Sequence, residues 1–468
     1  MLLIMKKKIT LCLGLLLSFG LSAQTPDPEK AFAERVSQIN SISQLLEVVG
    51  DAADKEQFAR QELVLKRLLE LRPYSPEFKL ALVKAYAAQD KKSAAYNDLV
   101  QMQKAGLSYP IGDQKGYDNI KGTKVFDYIE DGMNSNNTPF GEGEKAFEIP
   151  HRSGMLFENM AYDETGKRFL LGSIRAGSVY QYTEGEGFKE FIKPSDPAVG
   201  PWGIIDLVVD DEADLLWTSS ATMPHFSGTN QANFGQAMIS KFRLSSGELV
   251  NNFAMAKTNQ PMLFSALHLT AGQNLYFTNV FNSDFFKISK DSDQVQPVLS
   301  LSGLKNIKAI TSNEKESMLY VSDFDQGLFV INLESMQTAP LVKTPRGFFA
   351  GINDLFYDDG DLVAIQSGVQ PARLMRYVLK QDLFLHNMFP IEASNPNFKA
   401  LGNGTLVGDH VYYAANSQWE KMDPLGRLLP EQSWEPLVIM KSPTKYRMEE
   451  HMEQQRKMEE IKKKRGLK

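Results

Sequence analysis

Between residues 157 and 438, short apolar runs alternate with clusters of Asp, Gly, Asn and Ser, and the same order returns at intervals of roughly 40 to 50 residues. In residues 159–183 an apolar run, a turn centred on 163–167, a second run, a Gly-containing turn and a third run follow one another. That order recurs at 204–220, 266–289 and 308–333, and in looser form at 351–368 and 404–423. Period-two alternation, broken by turn residues about every 8 to 12 positions, predicts antiparallel strands. Units this short cannot bury an apolar face singly, so four-stranded sheets stacked around an axis are expected. The prediction is a mainly β chain in which residues 154–440 form a six-bladed β-propeller. Residues 223–235, rich in Asn, Gly and Ser, read as an insertion and leave a seventh blade open.

Upstream the period changes. From 29 to 106, apolar residues recur at helical spacing, as in Leu65, Leu68 and Leu69, then Leu80, Val83 and Ala87. Residues 71–99 resemble a tetratricopeptide-type repeat. Pro73 ends one helix, Ser75 and Pro76 open the next, and Ala85, Tyr86, Ala94 and Ala95 supply small and aromatic contacts between helices. About one and a half repeats are visible, and residues 115–133 add a further helix through Phe126 and Ile129. A small tetratricopeptide-like helical domain over 29–133 is therefore expected, followed by a polar linker over 134–153. Because a solenoid needs about three repeats to stand alone, this domain is expected to pack on the propeller as a cap.

The N-terminus bears on the compartment. Lys6, Lys7 and Lys8 precede an apolar run of about 13 residues, and Leu21, Ser22 and Ala23 offer a small-residue cleavage site. The reading is a signal peptide over 1–23, cleaved near Ala23, and a secreted or periplasmic chain. The alternative, an uncleaved anchor, falls short of the roughly 20 residues a membrane span needs. The sole cysteine, Cys12, lies inside this segment, so a mature chain has no thiol for disulfides, nucleophilic catalysis or thiolate metal sites.

Formal charge is -6, and loss of the three leader lysines makes it more negative, which argues against nucleic acid as a partner. Residues 441–468 carry ten Lys and Arg against five Glu, with a sparse apolar stripe at Tyr446, Met448, Met452 and Ile461. This charged helical tail reads as a solvated helix, the alternative being a segment for envelope association or a partner.

Catalytic motifs are absent by inspection. There is no glycine-rich phosphate loop, no HExxH and no Gly-x-Ser-x-Gly elbow. His151, His225, His268, His386, His410 and His451 stand singly without ligand spacing and read as structural or solvated.

Glu158, Asn159, Met160, Ala161, Tyr162 and Asp163, followed by Arg168, Phe169, Leu170, Leu171, Gly172 and Ser173, resemble the opening blade of the gluconolactonase/senescence-marker-protein/strictosidine-synthase-like six-bladed propellers. The resemblance spans about 280 of the 468 residues. It implies an axial divalent cation, commonly calcium, held by a Glu from the first inner strand with Asn and Asp from others. Glu158 matches that Glu by position, and Asp206 and Asn353 resemble the family's aspartate and asparagine. Ser265 and Lys308 stand at the corresponding places of the third and fourth copies and, with Asp354, line the ligand mouth.

Hard oxygen donors suit calcium, and such a cation would polarise a lactone carbonyl or a water. A lysine on the axis would repel it. Two readings follow. The first is a ligand-binding or protein-interaction module of the cell envelope, taking a small molecule or protein at the propeller mouth, which Pro224, Phe226 and Phe234 of the insertion extend. The second is a calcium-dependent lactonase or esterase.

Overall fold

The computed structural model describes residues 27–255, 260–292, 294–342, 347–430, 433–445 and 448–466, with the backbone alone at 448–451 and 453–455. The expected signal peptide lies outside the described residues, and no described helix is long and apolar enough to cross a membrane.

Six four-stranded antiparallel sheets are arranged around one axis, so the chain is a six-bladed β-propeller preceded by a helical region. Blade 1 shows how the strands arise. Phe157–Asp163 runs along the axis, and Arg168–Ser173, Val179–Thr183 and Gly187–Ile192 follow outward in chain order. The second strand of blades 1 to 5 is packed on both faces, so it reads as a continuous apolar or small-residue run and not as an alternation. Leu215–Ala221 in blade 2 is buried over its last six residues, including Thr218, Ser219 and Ser220. Residues 223–235 join the second and third strands of blade 2, so the insertion lengthens a loop and adds no blade.

The ring closes through a strand that precedes it. Glu144–Ile149 pairs with Leu437–Pro443 to become the outer strand of blade 6. The segment expected as a linker over 134–153 therefore carries the clasp of the whole ring, and the β fold extends beyond 154–440 at both ends. Only the Ile149 end of this edge strand is buried, so its alternation is weak. Phe147 anchors it, stacked on Tyr182 at 4.0 Å and tilted against Phe169 at 5.0 Å.

The helical region is larger than the visible repeat. Of helices α1 (Pro28–Ser37), α2 (Ile42–Asp54), α3 (Phe58–Leu71), α4 (Pro76–Ala88), α5 (Lys92–Lys104) and α6 (Lys124–Asn136), α2 to α6 pack in sequence and α1 packs on α3. Ser75 caps α4 by accepting from the Phe78 N–H, with Pro76 in the first turn. Val64, Leu68, Val83, Leu99 and Ile129 form one core that also takes in Phe348 and Val369 of the propeller. Arg72 pairs with Asp325 at 3.1 Å, Tyr74 meets Phe349 edge-on at 5.3 Å, and the Ser108 N–H donates to the Gln370 carbonyl at 2.7 Å. The helices thus dock on blades 4 and 5.

The tail forms α7 (Met448–Arg465) and is not simply solvated. Met458 and Ile461 pack against the helical core, and the Arg465 Nε reaches Asp131 at 2.6 Å on α6.

Candidate functional site

The site expected from sequence lies where the inner strands start. In blades 1, 2, 4 and 5 the opening residue, Phe157, Ile204, Ile307 or Ile352, is buried, and the register of the strand then shifts. Such a bulge re-aims the side chain that follows it. Glu158, Ile205, Lys308 and Asn353 occupy that position, and Asn159, Asp206, Ala309 and Asp354 come one residue later. Glu158 and Asn353 are therefore on one level and Asp206 on the next.

The later level ties the blades together. Asn159 Nδ2 donates to the Ile205 carbonyl at 3.1 Å, the Leu267 N–H donates to Asp206 Oδ2 at 2.8 Å, and His268 Nε2 meets Ser312 Oγ at 2.8 Å. The Tyr357 N–H donates to Thr311 Oγ1 at 3.2 Å, the Gly404 N–H to Asp354 Oδ2 at 2.9 Å, and Asn403 Nδ2 to Asn159 Oδ1 at 2.6 Å. Each bond joins one blade to the next, and together they make a closed polar ring. Blades 3 and 4 have Ala266 and Ala309 where their neighbours offer Asn or Asp, and their clasps come from His268 and Thr311 farther along the strand.

The acids on this axis are strongly perturbed. Burial pushes the Asp206 carboxyl up to about 8, against two stabilising N–H groups, with repulsion from Asp354 and Glu158 adding to it. Burial likewise pushes Asp354 up to about 7. Glu158 is partly exposed, and burial raises its pKa against the pull of Lys308 and of a hydrogen bond from Trp419 Nε1. Burial lowers His268 to about 4, leaving a neutral ring in its clasp.

Trp419 belongs to a lid. Residues 415–430 leave blade 6 and cross to blades 1 and 2, where Arg175 Nη1 donates to the Gly426 carbonyl at 3.0 Å and His225 lies 5.1 Å from Trp419. Buried Lys421 donates to Gln418 Oε1 at 2.6 Å and to the Ser433 carbonyl, which ties the loop together. Pro224 of the insertion lies beneath Gly426, and Phe226 is buried against Trp202 and Met238, while Phe234 is exposed. Below the clasp ring, toward the far ends of the inner strands, the channel widens to a cavity of about 330 Å³ lined by Asp206, Lys308 and Asp354 among others.

The oxygens expected to hold a cation already have partners within the chain. Both oxygens of Asp206 accept backbone N–H groups, from Leu207 at 2.8 Å as well as Leu267, and Asp354 does the same with Leu355 at 2.9 Å and Gly404. Glu158 is bonded to Trp419 and sits in the field of Lys308, while Asn353 Oδ1 accepts from Ser367 Oγ at 2.5 Å. Among the described residues, no three His, Cys, Asp or Glu side chains gather closely enough to hold a metal. Of the residues expected to line the mouth, Lys308 and Asp354 reach the channel, and the Ser265 carbonyl accepts from Thr278 Oγ1 at 3.3 Å. Asn159, His268, Thr311, Asn403 and Trp419 were not among the sequence candidates. An Asn or Asp two residues after a buried strand opening was the available signal for the first, and nothing local marks Trp419.

Fold and axis together define a six-bladed propeller with a docked helical region and a polar inter-blade ring. No protein-family model matches the sequence, and no curated protein matches it. Similar solved structures include a gluconolactonase from Xanthomonas campestris at 10% identity, covering 65% of this chain and 97% of that one, with a TM-score of 0.42. The Malassezia sympodialis allergen Mala s 1 is 14% identical over 64% of this chain and 97% of its own, TM-score 0.46. The PQQ-bound aldose sugar dehydrogenase of Streptomyces coelicolor is 11% identical over 65% and 99%, TM-score 0.43. At these values the likenesses assign no function, and the fold rests on the strand order itself.

Proposed function

We propose that this chain is a ligand-binding propeller protein of the cell envelope, secreted or periplasmic, whose axis serves the fold and whose binding face lies where the helices meet the ring. The observation that carries this reading is the commitment of both oxygens of Asp206 and of Asp354 to backbone N–H groups. An acid that holds two blades in register is poorly placed to be a cation ligand, and leaving its buried N–H partners unpaired would cost about 1 to 3 kcal/mol each. With Trp419 over Glu158, the mouth expected to take a ligand is roofed by the chain's own lid. The envelope location is supported by Lys6 to Lys8 and the apolar run that follows them.

Purified mature protein is expected to melt at the same temperature in calcium and in EDTA, and Glu158→Gln to leave that equality intact. Calcium-dependent hydrolysis of a sugar lactone or aryl ester, lost in Glu158→Gln, would overturn the proposal in favour of a metal-dependent hydrolase. N-terminal sequencing of protein from the native cell, expected to start after Ala23, checks the location.

A further inference from the structure

A cleft of about 510 Å³ lies between α5, α6, α7 and the two outer strands of blade 5. Arg373, only 4% exposed, opens onto it. Its Nε donates to Gln366 Oε1 and its Nη1 to the Ala105 carbonyl, both at 2.7 Å, so the guanidinium bridges blade 5 to the helices. Neither partner is charged, no ion pair involves Arg373 among the described residues, and no described residue accepts from Nη2. Burial pulls its pKa down with no carboxylate to offset the loss of water. A desolvated guanidinium without a counter-ion is costly unless an anion completes it.

A second polar group faces the same space. Gln103 is 5% exposed, and its Oε1 is buried with no hydrogen-bond partner, while its Nε2 has only the Met458 sulfur at 3.8 Å. The cleft therefore has an unused donor and, buried in its wall, an unpartnered acceptor. Lys104 and Lys462 also line it against a single acid, Glu459, so the lining is net cationic in an acidic protein. Its remaining walls are soft and apolar, with Met375, Met388 and Met458 among them.

Resting on the reading of the chain as a binding module, we propose that this cleft binds an amphipathic organic monocarboxylate bearing a hydroxyl group. The carboxylate sits on Arg373 Nη2, the hydroxyl donates to Gln103 Oε1, and the acyl body lies against the methionines. Lys104 and Lys462 draw the anion in.

The test is isothermal titration of the full mature chain with 3-hydroxydecanoate, decanoate and decanol as probes. The hydroxy acid is expected to bind saturably, decanoate more weakly and decanol not at all. Arg373→Lys, which keeps charge but not the Nη2 geometry, should weaken the acids about tenfold, the scale of one charge-assisted hydrogen bond. Gln103→Leu should erase the preference for the hydroxylated acid while leaving decanoate bound. Should Arg373→Lys not fold, Met388→Trp fills the cleft and is expected to abolish binding. Absence of saturable binding by wild type below about 1 mM, or binding indifferent to the Arg373 and Met388 changes, overturns the proposal. Those outcomes leave the absence of calcium-dependent hydrolysis untouched, so failure here is distinct from failure of the binding-module reading.

Discussion

Raising the pH from 6.5 to 8.5 should loosen this protein. Asp206 and Asp354 hold their protons up to about 8 and about 7 in the folded chain, whereas a free aspartate releases its proton near 3.8. Between those values the native state binds more protons than the unfolded one, so stability is greatest at low pH and falls as pH rises through the folded values. One unit of pKa difference is worth about 1.36 kcal/mol. Summed over both acids, the loss from pH 6.5 to 8.5 is on the order of 2 to 3 kcal/mol, about two-thirds of it from Asp206.

The window is chosen for the histidines. Burial holds His151 and His268 down to about 4, and such groups add stability as pH climbs, in the opposite sense. Their contribution levels off only above about pH 7.5; between 6.5 and 8.5 each still adds about 0.4 kcal/mol, which offsets roughly a third of the loss from the acids. The assay is the midpoint of urea unfolding at half-unit pH steps, for wild type and Asp206→Asn. Asparagine cannot ionise, so the variant should lose most of the slope. It should also be weaker at pH 6.5 by about 1 to 3 kcal/mol, because an amide can accept only one of the two N–H groups now served. Stability that is level or rising across the window would mean that the N–H partners keep both carboxylates ionised. An unchanged slope in Asp206→Asn would place the titration elsewhere, and either result refutes the reasoning.

Other outcomes follow from the same contacts. Phe147→Ala should cost about 2 to 3 kcal/mol by removing the anchor of the closing strand, and limited proteolysis should then cut near residues 134–143 before the blades. Gly426→Ala should detach the lid, since residue 426 has φ 72° and an added Cβ would lie 2.1 Å from the Pro224 carbonyl oxygen; a red shift of tryptophan emission as Trp419 leaves Glu158 reports it. Truncation after residue 445 should leave the propeller's circular dichroism intact but lower the first melting transition by a few degrees at most, because the Arg465 and Asp131 pair is about one-third exposed and such pairs contribute about 1 kcal/mol or less.

The blades were legible because their signals are local. Apolar runs, turn clusters and their spacing lie within one module, and the six copies could be read against one another before any contact was known. Two of the six ring clasps, Asp206 and Asp354, were legible in the same way, as were Glu158 and Asn353 on the neighbouring level, since all four stand near the openings of those runs. Their use was not. That Leu207 and Leu267 donate to both oxygens of Asp206 is written nowhere in the chain's pattern. The closing strand was missed because only one end of Glu144–Ile149 is buried, and a mostly exposed edge shows little alternation. The helical region over 29–133 was legible from its spacing, but the number of its helices was not, because the repeat pattern is clear only around Pro73 to Ala95.

Trp419 reaches Glu158 from 261 positions away in the chain, and Arg373 meets the Ala105 carbonyl from 268. No pattern within a module encodes such meetings. Helix and strand preference depends on neighbours a few residues off, and so on the order of residues alone. Desolvation, hydrogen-bond commitment and the charge left unpaired in a cleft depend on atoms from several distant segments, and they take definite values only once the ring has closed and the helices have docked.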